Sequence, residues 1–350
     1  MPLPEKAFIR RVRSLQENLG QTGAGKAGVG RTLLSGFSPR GKVQSQQPIR
    51  VIIGIGDDGA VLRSRPGCDT LVTTDFSLEG IHFRRAWHSP ESVGHRCLAR
   101  GLSDIAAMGG DPAAAFLSLA LPQDLPQTWV TGFLRGLTNL ANRFGVTLAG
   151  GDTAQSSSGI LADIMVIGSV PRGKAILRCG ARPGDAIYIS GELGGSAAAP
   201  SQLMKNPRRK LSPRDYHRHF FPEPRVELGR ILRQKAFASA MIDTSDGLST
   251  DLAHLCEESG VGAVIEAKSI PPAKVGRPPR TVDLDDALHG GEDYELLFTV
   301  PHGKRLPLQL AGVPLTLIGR IVRKREILLV RNGASSELKP QGWEHFRSKS

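Results

Sequence analysis

Cysteine, aromatic residues and long apolar runs are all scarce in this sequence of 350 residues. The four cysteines form no CxxC pair and no zinc-ligand spacing, which favours reduced thiols in a cytoplasmic compartment. Aromatic residues make up 5% of the chain and form no stacking cluster. No uninterrupted apolar run approaches the roughly 20 residues of a membrane-spanning helix, and no signal peptide is evident. We therefore expect a cytoplasmic protein without a membrane segment.

A surplus of acidic residues is also missing, since the formal net charge is +12. The surplus of positive charge lies at the two ends. Residues 1–50 carry nine Lys and Arg against two Glu, and residues 320–350 carry eight against three. The rest of the chain is formally neutral, so the charge pattern indicates a solvated periphery more than a continuous nucleic-acid-binding face.

The length and the alternation of β-branched runs with amphipathic stretches favour two α/β domains. We expect an N-terminal helix and a flexible basic insertion in 1–50, an N-terminal α/β domain in 51–170, and a second α/β domain in 171–350. The helix is predicted over 5–19, and the Gly-rich insertion over 20–47. Residues 200–224, which are rich in Pro and Arg, are expected to be irregular.

Local signals predict three helices between these runs. Ser89-Pro90-Glu91 supplies an N-cap, a proline at the first helical position and an early acid, so a helix should follow and stop at Gly109-Gly110. A second helix is expected around Thr128–Phe144, and a third should begin near Leu248 and close at Gly260.

Five aspartates lie where the chain is expected to turn, each in a Gly- or Thr-rich setting with a strand-like sequence before or after it. They are Asp58, Asp75, Asp104, Asp152 and Asp246. Asp104 falls off the apolar stripe of its predicted helix, near a C-terminus where the helix dipole disfavours a carboxylate. Carboxylates accompanied by hydroxyl groups are the oxygen ligands that Mg²⁺ prefers, so the pattern indicates phosphate chemistry assisted by Mg²⁺.

These residues belong to a series of blocks that resembles the bacterial thiamine-monophosphate kinase family, within the aminoimidazole-ribonucleotide-synthetase-like superfamily. The resemblance extends from about Glu5 to Phe346, apart from the 20–47 insertion. In chain order the blocks are Gly54–Leu62, Thr73–Phe83 (TTDFSLEGIHF), Leu98–Gly109 (LARGLSDIAAMG), Gly150–Thr153, Ile242–Leu252 (IDTSDGLSTDL), Gly290–Val300 (GGEDYELLFTV) and Gly342–Phe346 (GWEHF). Each block alone is a weak signal, and their order makes the signal strong.

The resemblance implies that 51–170 is the ATP- and Mg²⁺-binding α/β domain and that its mixed sheet pairs across a homodimer. It also implies transfer of the γ-phosphoryl group of ATP to thiamine monophosphate, giving thiamine diphosphate. By matching position it implies three sets of residues. The Mg²⁺ ligands would be Asp58, Thr73, Thr74, Asp75, Asp104, Asp152, Asp243 and Asp246. ATP would contact Gly151, Asp152, Arg178 and Ser245, and thiamine monophosphate would contact His82, Glu292 and Trp343. Because the attacking phosphate is already ionised near neutral pH, catalysis by several Mg²⁺ ions and by positioning requires no general base.

Several residues also have simpler interpretations. Asp57 suits an Asx-turn as well as a ligand, and Asp243 could simply end a strand. His82 could be a packed histidine, Glu292 a turn carboxylate and Trp343 a hydrophobic plug. Two features depart from the family: the insertion is longer and more basic than usual, and Trp343 and Glu344 stand where tyrosine and aspartate are common.

Two alternative functions remain open at this point. One is another ATP-using member of the superfamily, acting in purine, selenophosphate or hydrogenase-maturation chemistry; against it, the chain has no early reactive cysteine with a partner lysine and no terminal cysteine. The other is a basic nucleic-acid-binding protein, which the scarcity of aromatic residues and the neutral body of the chain disfavour.

Overall fold

The computed structural model describes residues 49–55 and 59–343. These residues form two compact units. Unit 1 comprises the described residues up to Ile105 together with Asp111–Gly173, and unit 2 comprises Ala106–Gly110 and the described residues from Lys174 onward. The predicted helix over 5–19, the insertion over 20–47, and Asp57, Asp58 and Glu344 lie outside the described residues.

Unit 1 contains a mixed four-stranded sheet, a two-stranded hairpin and two helices. The sheet has the order β3-β6-β4-β5, in which only β4 and β5 run parallel, and β1 pairs with β2. The elements are β1 (Ile49–Ile53), β2 (Val61–Ser64), β3 (Cys68–Leu78), α1 (Pro90–Ala107), β4 (Asp111–Pro122), α2 (Gln127–Arg143), β5 (Thr147–Ser156) and β6 (Leu161–Pro171).

The helix predicted after Ser89 is confirmed as α1. The Ser89 hydroxyl oxygen accepts the N–H of Ser92 at 3.2 Å, and its carbonyl accepts the N–H of Val93 at 3.1 Å, so two N–H groups at the start of the helix are satisfied. Glycines bring α1 and α2 into close contact, since a Cβ added at Gly94 would lie 1.9 Å from the Phe133 carbonyl oxygen. The backbones of the two helices therefore touch without intervening side chains.

The expectation that Asp75 and Asp152 end their strands is wrong. β3 pairs with β6 without interruption from Cys68 to Leu78, which places Asp75 in the middle of the strand. β5 likewise continues past Asp152 to Ser156, paired with β4. Aspartate and glycine disfavour strands only weakly, and a ladder of hydrogen bonds to a neighbouring strand outweighs that preference.

Unit 2 is built on an eight-stranded sheet with the order β16-β15-β9-β14-β7-β12-β8, in which β13 also pairs with β14. β10 and β11 form a separate hairpin. The strands are β7 (Ala186–Ser190), β8 (Ala240–Asp243), β9 (Gly262–Glu266), β10 (Lys274–Val275), β11 (Arg280–Thr281), β12 (Leu296–Val300), β13 (Gln309–Leu310), β14 (Val313–Val322), β15 (Ile327–Arg331) and β16 (Ala334–Glu337). The helices are α3 (Ala198–Lys205), α4 (His217–Phe220), α5 (Val226–Gln234), α6 (Leu248–Ser259) and α7 (Leu284–His289), with a short 3₁₀ turn at Ala267–Ser269.

The third predicted helix is confirmed as α6. Its apolar residues Leu248, Leu252 and Leu255 are buried in the core that includes the central strands of the sheet. Gly260 ends the helix with a φ of 67°, in the left-handed region that favours glycine. Residues 200–224 are less irregular than expected, because most of α3 and all of α4 fall there. Phe220 at the end of α4 and Ala199 of α3 belong to the same small apolar cluster.

In both described ranges, no helix combines the length and apolar character that crossing a membrane requires.

Candidate functional site

The loop between β8 and α6 lies at the centre of the candidate site in unit 2. Asp243 is the last residue of β8, and Thr244–Gly247 connect it to the first residue of α6. Gly247 has a φ of 110°, and a Cβ added there would lie 2.8 Å from the His289 carbonyl carbon. Glycine is therefore required for the chain to turn from the strand into the helix at this place.

The segment that carries Glu292 is hydrogen-bonded to this loop. The Glu292 N–H donates to the Ser245 carbonyl at 2.8 Å, and the Tyr294 N–H donates to the Thr244 carbonyl at 3.0 Å. Glu292 and Tyr294 have φ values of 64° and 52°, which non-glycine residues rarely adopt. The surrounding hydrogen bonds hold this unfavourable backbone, so Glu292 is fixed beside Ser245.

The C-terminal described segment meets the same loop from another side. The Trp343 N–H donates to the Asp246 carbonyl at 3.0 Å, and the Gly342 N–H donates to the Thr250 hydroxyl oxygen at 3.1 Å. Trp343 is 49% exposed, more than a hydrophobic plug would be. The structure thus brings together Asp243, Ser245, Asp246, Glu292 and Trp343.

Arg178 runs alongside the strand that leads into this loop. The carbonyl of Leu177 accepts the Met241 N–H at 3.0 Å, and the Arg178 carbonyl accepts the Ser259 hydroxyl at 3.1 Å. The backbone around Arg178 is therefore held by hydrogen bonds, while its side chain is exposed. An exposed guanidinium group is able to bind a phosphate group.

In unit 1, Thr73, Asp75 and Asp104 lie between β3 and α1. Thr73 donates a hydrogen bond from its hydroxyl to the Asp104 carboxylate. A Cβ added at Gly101 of α1 would lie 3.6 Å from the Thr73 methyl carbon, so the helix covers this face of the sheet. Alternation puts Asp75 on the same face as Thr73, and puts Thr74 on the opposite, exposed face.

Gly151 and Asp152 are not brought to Asp75 within unit 1. β3 and β5 are the two edge strands of the four-stranded sheet, about 14 Å apart at the usual strand spacing. Asp152 pairs with Ser118, which pairs with Asp163, and Asp163 pairs with Phe76. This row lies on the face away from the helices, opposite to Thr73 and Asp75.

Asp163 belongs to this row and was missed by sequence reasoning. Burial raises the pKa of its carboxyl group. The only signal for it in the sequence is a single acid at an outward position of the alternating run Ile160–Val170.

His82 has a defined tautomer. Its Nδ1 accepts the Leu78 N–H at 3.0 Å, so the neutral imidazole carries its proton on Nε2. The buried Arg96 side chain donates to the His82 carbonyl at 3.4 Å. In this tautomer the N–H donor of the ring is at Nε2.

Two buried carboxylates near the unit 2 loop were not among the predicted site residues. Asp251 is 1% exposed, and its pKa is raised well above the usual range by burial and then by the nearby charges of Asp243 and Asp246. Asp293 accepts the Gly194 N–H at 2.5 Å and the Ser196 N–H at 2.9 Å, and burial raises its pKa to about 7. The sequence contains both acids, but it does not reveal that they point inward.

The donor set fits Mg²⁺ in part. Among the described residues, no three Asp, Glu, His or Cys side chains are arranged to hold a metal ion. Mg²⁺ is usually held by one or two carboxylates, with water and phosphate oxygens completing its shell. Asp243 with Asp246, and Asp104 with Thr73, are pairs of this kind. Asp251 is buried close to the first pair, and its pKa is raised first by this burial and then by the charges of Asp243 and Asp246.

Comparison with known proteins places these residues in a family. Residues 56–170 match the family model described as AIR synthase related protein, N-terminal domain, and residues 182–330 match the corresponding C-terminal domain. The chain is 36% identical over 308 residues to thiamine-monophosphate kinase of Bacillus subtilis (strain 168), covering 85% of this chain and 94% of the relative.

Two solved structures are similar over most of the chain. Thiamine-monophosphate kinase from Stenotrophomonas maltophilia K279a has a TM-score of 0.75 at 34% identity, covering 96% of this chain and 99% of that one. AaThiL complexed with AMPPCP and TMP has a TM-score of 0.71 at 32% identity, covering 83% and 92%. The two-domain α/β fold expected from the sequence is thereby confirmed, and the chain belongs to the thiamine-monophosphate kinase family.

Proposed function

We propose that this protein transfers the γ-phosphoryl group of ATP to the phosphate of thiamine monophosphate, giving thiamine diphosphate and ADP. The observation that carries the proposal is the loop of Thr244–Gly247, which holds Asp243, Ser245 and Asp246 next to Glu292 and Trp343 through backbone hydrogen bonds. A relative of this chain, AaThiL, is complexed with AMPPCP, an ATP analogue, and with TMP, which supports both substrates.

In this reaction an ionised oxygen of the acceptor phosphate forms a bond to the γ-phosphorus, and the bond from that phosphorus to the bridging oxygen of ADP breaks. No proton has to be removed from the nucleophile, so the chain needs to orient two polyanions more than it needs an acid or a base. Bound Mg²⁺ would supply neutralisation of the phosphate charges.

The chain's own residues divide into three proposed roles. Asp58, Thr73, Thr74, Asp75, Asp104, Asp152, Asp243 and Asp246 would hold several Mg²⁺ ions. Gly151, Asp152, Arg178 and Ser245 would bind ATP. His82 would donate from Nε2 to the substrate, Glu292 would bind thiamine monophosphate, and Trp343 would stack on one of its rings.

We further propose a homodimer formed through the open face of the unit 1 sheet. Val72 and Phe76 of β3 are 58% and 55% exposed on that face. Phe116, Met165 and Ile167 share the face and are half-buried. A sheet face this apolar is typical of a surface that another chain covers. Asp152 lies on the same face, so dimerisation would bring it to the interface.

We also propose a cytoplasmic location. The four cysteines, Cys68, Cys97, Cys179 and Cys256, are all described and are all free thiols, which suits a reducing compartment.

Incubation of the purified protein with thiamine monophosphate, ATP and MgCl₂ tests the proposed reaction, with thiamine diphosphate and ADP separated by chromatography. We expect both products to form together. Asp104→Asn should lower kcat/KM by about 100-fold or more, because the amide can still accept the Thr73 hydroxyl but has lost its charge. Asp124→Asn, at an exposed loop position, is the matched control. Absence of thiamine diphosphate with the wild type would reject the proposal.

A further inference from the structure

The Asp251 side chain accepts hydrogen bonds from backbone N–H groups of the loop Thr244–Gly247, which lies at the centre of the candidate site in unit 2. It lies in the first turn of α6, and one of its carboxylate oxygens, Oδ2, accepts the Gly247 N–H at 3.0 Å and the Asp246 N–H at 3.2 Å. A side chain that reaches back in this way satisfies the N–H groups of the N-cap residue, Gly247, and of the residue before it.

The carbonyl side of the same loop is held by other segments. The carbonyls of Thr244, Ser245 and Asp246 accept the N–H groups of Tyr294, Glu292 and Trp343, and the Thr244 N–H donates to the Glu295 carbonyl at 2.8 Å. Asp251 therefore completes a set of hydrogen bonds that fixes the backbone between Asp243 and Gly247 from both sides. A shift of this backbone would move Asp246 and the segment carrying Glu292 together.

Burying a charged carboxylate as the acceptor of these hydrogen bonds costs free energy. Asp251 is buried beside the carboxylates of Asp243 and Asp246, which repel it. An asparagine would accept both N–H groups with its amide oxygen at a lower cost, since both hydrogen bonds go to a single oxygen. Mutations of Asp251 can therefore change the charge of the side chain without moving the acceptor oxygen, or move the oxygen without removing the charge.

We propose that Asp251 is a positioning residue of the candidate cation site, and that its carboxylate oxygen sets the backbone at Asp246–Gly247 which presents Asp246 to a divalent cation. The inference rests on the proposed function in so far as Asp243 and Asp246 are taken as cation ligands. It assigns Asp251 no direct contact with the metal or with either substrate.

Two variants separate the position of the oxygen from its charge. Asp251→Asn keeps an oxygen at the same place without the charge, and Asp251→Glu keeps the charge but displaces the oxygen by one methylene. Asp283→Asn is the matched control, since the Asp283 carboxylate also accepts an N–H at a helix start, that of Asp286 at 2.8 Å, outside the candidate site.

The test is titration of the full-length proteins with MnCl₂, with free Mn²⁺ followed by electron paramagnetic resonance in the absence of nucleotide. We expect Asp251→Asn and Asp283→Asn to bind Mn²⁺ within about threefold of the wild type, and Asp251→Glu to bind about 10-fold or more weakly. The half-saturating Mg²⁺ concentration for phosphoryl transfer should follow the same order. Circular dichroism establishes that each variant folds, and Asp251→Ala replaces the glutamate variant if the latter does not.

The proposal is overturned if folded Asp251→Asn loses Mn²⁺ affinity, if the glutamate or alanine variant binds like the wild type, or if the wild type binds no Mn²⁺. Failure of the proposed reaction is a separate result, since thiamine monophosphate is absent from the binding experiment. A protein that binds Mn²⁺ as expected but does not phosphorylate thiamine monophosphate would retain the positioning role and lose the substrate assignment.

Discussion

At the scale of residues, buried carboxylates in unit 2 serve as acceptors for backbone N–H groups in loops. Asp251 holds the start of α6, and Asp293 holds the glycine-rich turn after β7 through Gly194 and Ser196. The sequence shows that these residues are acids, but their burial depends on segments distant in the chain. The motif Ile242–Leu252 therefore predicted Asp243 and Asp246 as site residues, but it did not reveal the role of the buried Asp251 next to them.

Asp293 should make stability depend on pH in a defined direction. Its folded pKa of about 7 lies above the ordinary value of 3.8, so between these values the folded chain binds more protons than the unfolded chain. The contribution of this group to the free energy of unfolding is therefore present at low pH and is lost as pH rises towards about 7. The charged neighbours are the buried Glu295, which raises the pKa of Asp293, and the partly exposed Arg218, which lowers it.

Urea unfolding of the wild type and of Asp293→Asn at about pH 5.5 and about pH 7.5 measures this effect. The asparagine variant loses one of two hydrogen bonds, since its amide nitrogen cannot accept an N–H, and it should be less stable at the lower pH. The stability difference between the two proteins should shrink by about 2 kcal/mol at the higher pH. A difference that stays constant across this range would contradict the assignment.

At the scale of elements, local signals predicted α1, α2 and α6, whereas most of α3 and all of α4 lie where irregular structure was expected. The strands were predicted less completely. α1 and α2 begin within about one residue of their predicted starts. For α1 the reason is local, because the Ser89 cap and Pro90 act on the adjacent backbone. β3 and β5 extend beyond their expected ends, because pairing with β6 and β4 is a property of distant segments. Because strand pairing depends on distant segments, sequence patterns also could not predict the order of the strands in the eight-stranded sheet of unit 2.

The segment ending at Trp343 provides a test of how elements build the site. A Cβ at Gly342 would lie 1.9 Å from the Asp246 carbonyl oxygen, so Gly342→Ala must displace the segment that holds Trp343. We expect KM for thiamine monophosphate to rise about 10-fold, with a smaller change in KM for ATP. Steady-state kinetics with each substrate varied in turn measures both.

Gly303→Ala is the control for a general loss of stability. Gly303 has a φ of 84° and a Cβ there meets no atom within 4 Å, so this variant strains a turn without displacing a neighbour. It should lose about 1 kcal/mol of stability with unchanged KM values. Equal effects of the two variants on KM for thiamine monophosphate would count against a role for the Trp343 segment in the site.

At the scale of the whole molecule, the unit 1 sheet separates two groups of proposed ligands. Thr73, Asp75 and Asp104 lie on the side covered by α1, and Asp152 lies at the far edge on the open side. The strand order could not be predicted from the sequence, and it places β3 and β5 at opposite edges of the sheet. A second copy of the chain on the open face would place Asp152 at an interface.

Phe76→Lys should dissociate the proposed dimer. A lysine at this 55% exposed position would put a charge into an apolar contact between sheets. Size-exclusion chromatography with light scattering should give twice the chain mass of 37.5 kDa for the wild type and the single mass for the variant. Leu308→Lys, at an 88% exposed position in unit 2, should remain dimeric. A monomeric wild type would reject the dimer.

The most direct test of the proposed reaction is a ³¹P NMR time course of the wild type with ATP, thiamine monophosphate and MgCl₂. If the γ-phosphoryl group moves onto the phosphate of thiamine monophosphate, the intensity of the single thiamine monophosphate resonance should decrease. The two coupled resonances of thiamine diphosphate and the resonances of ADP should grow in equal amounts. Conversion of ATP to ADP and inorganic phosphate with the thiamine monophosphate resonance unchanged would contradict the account.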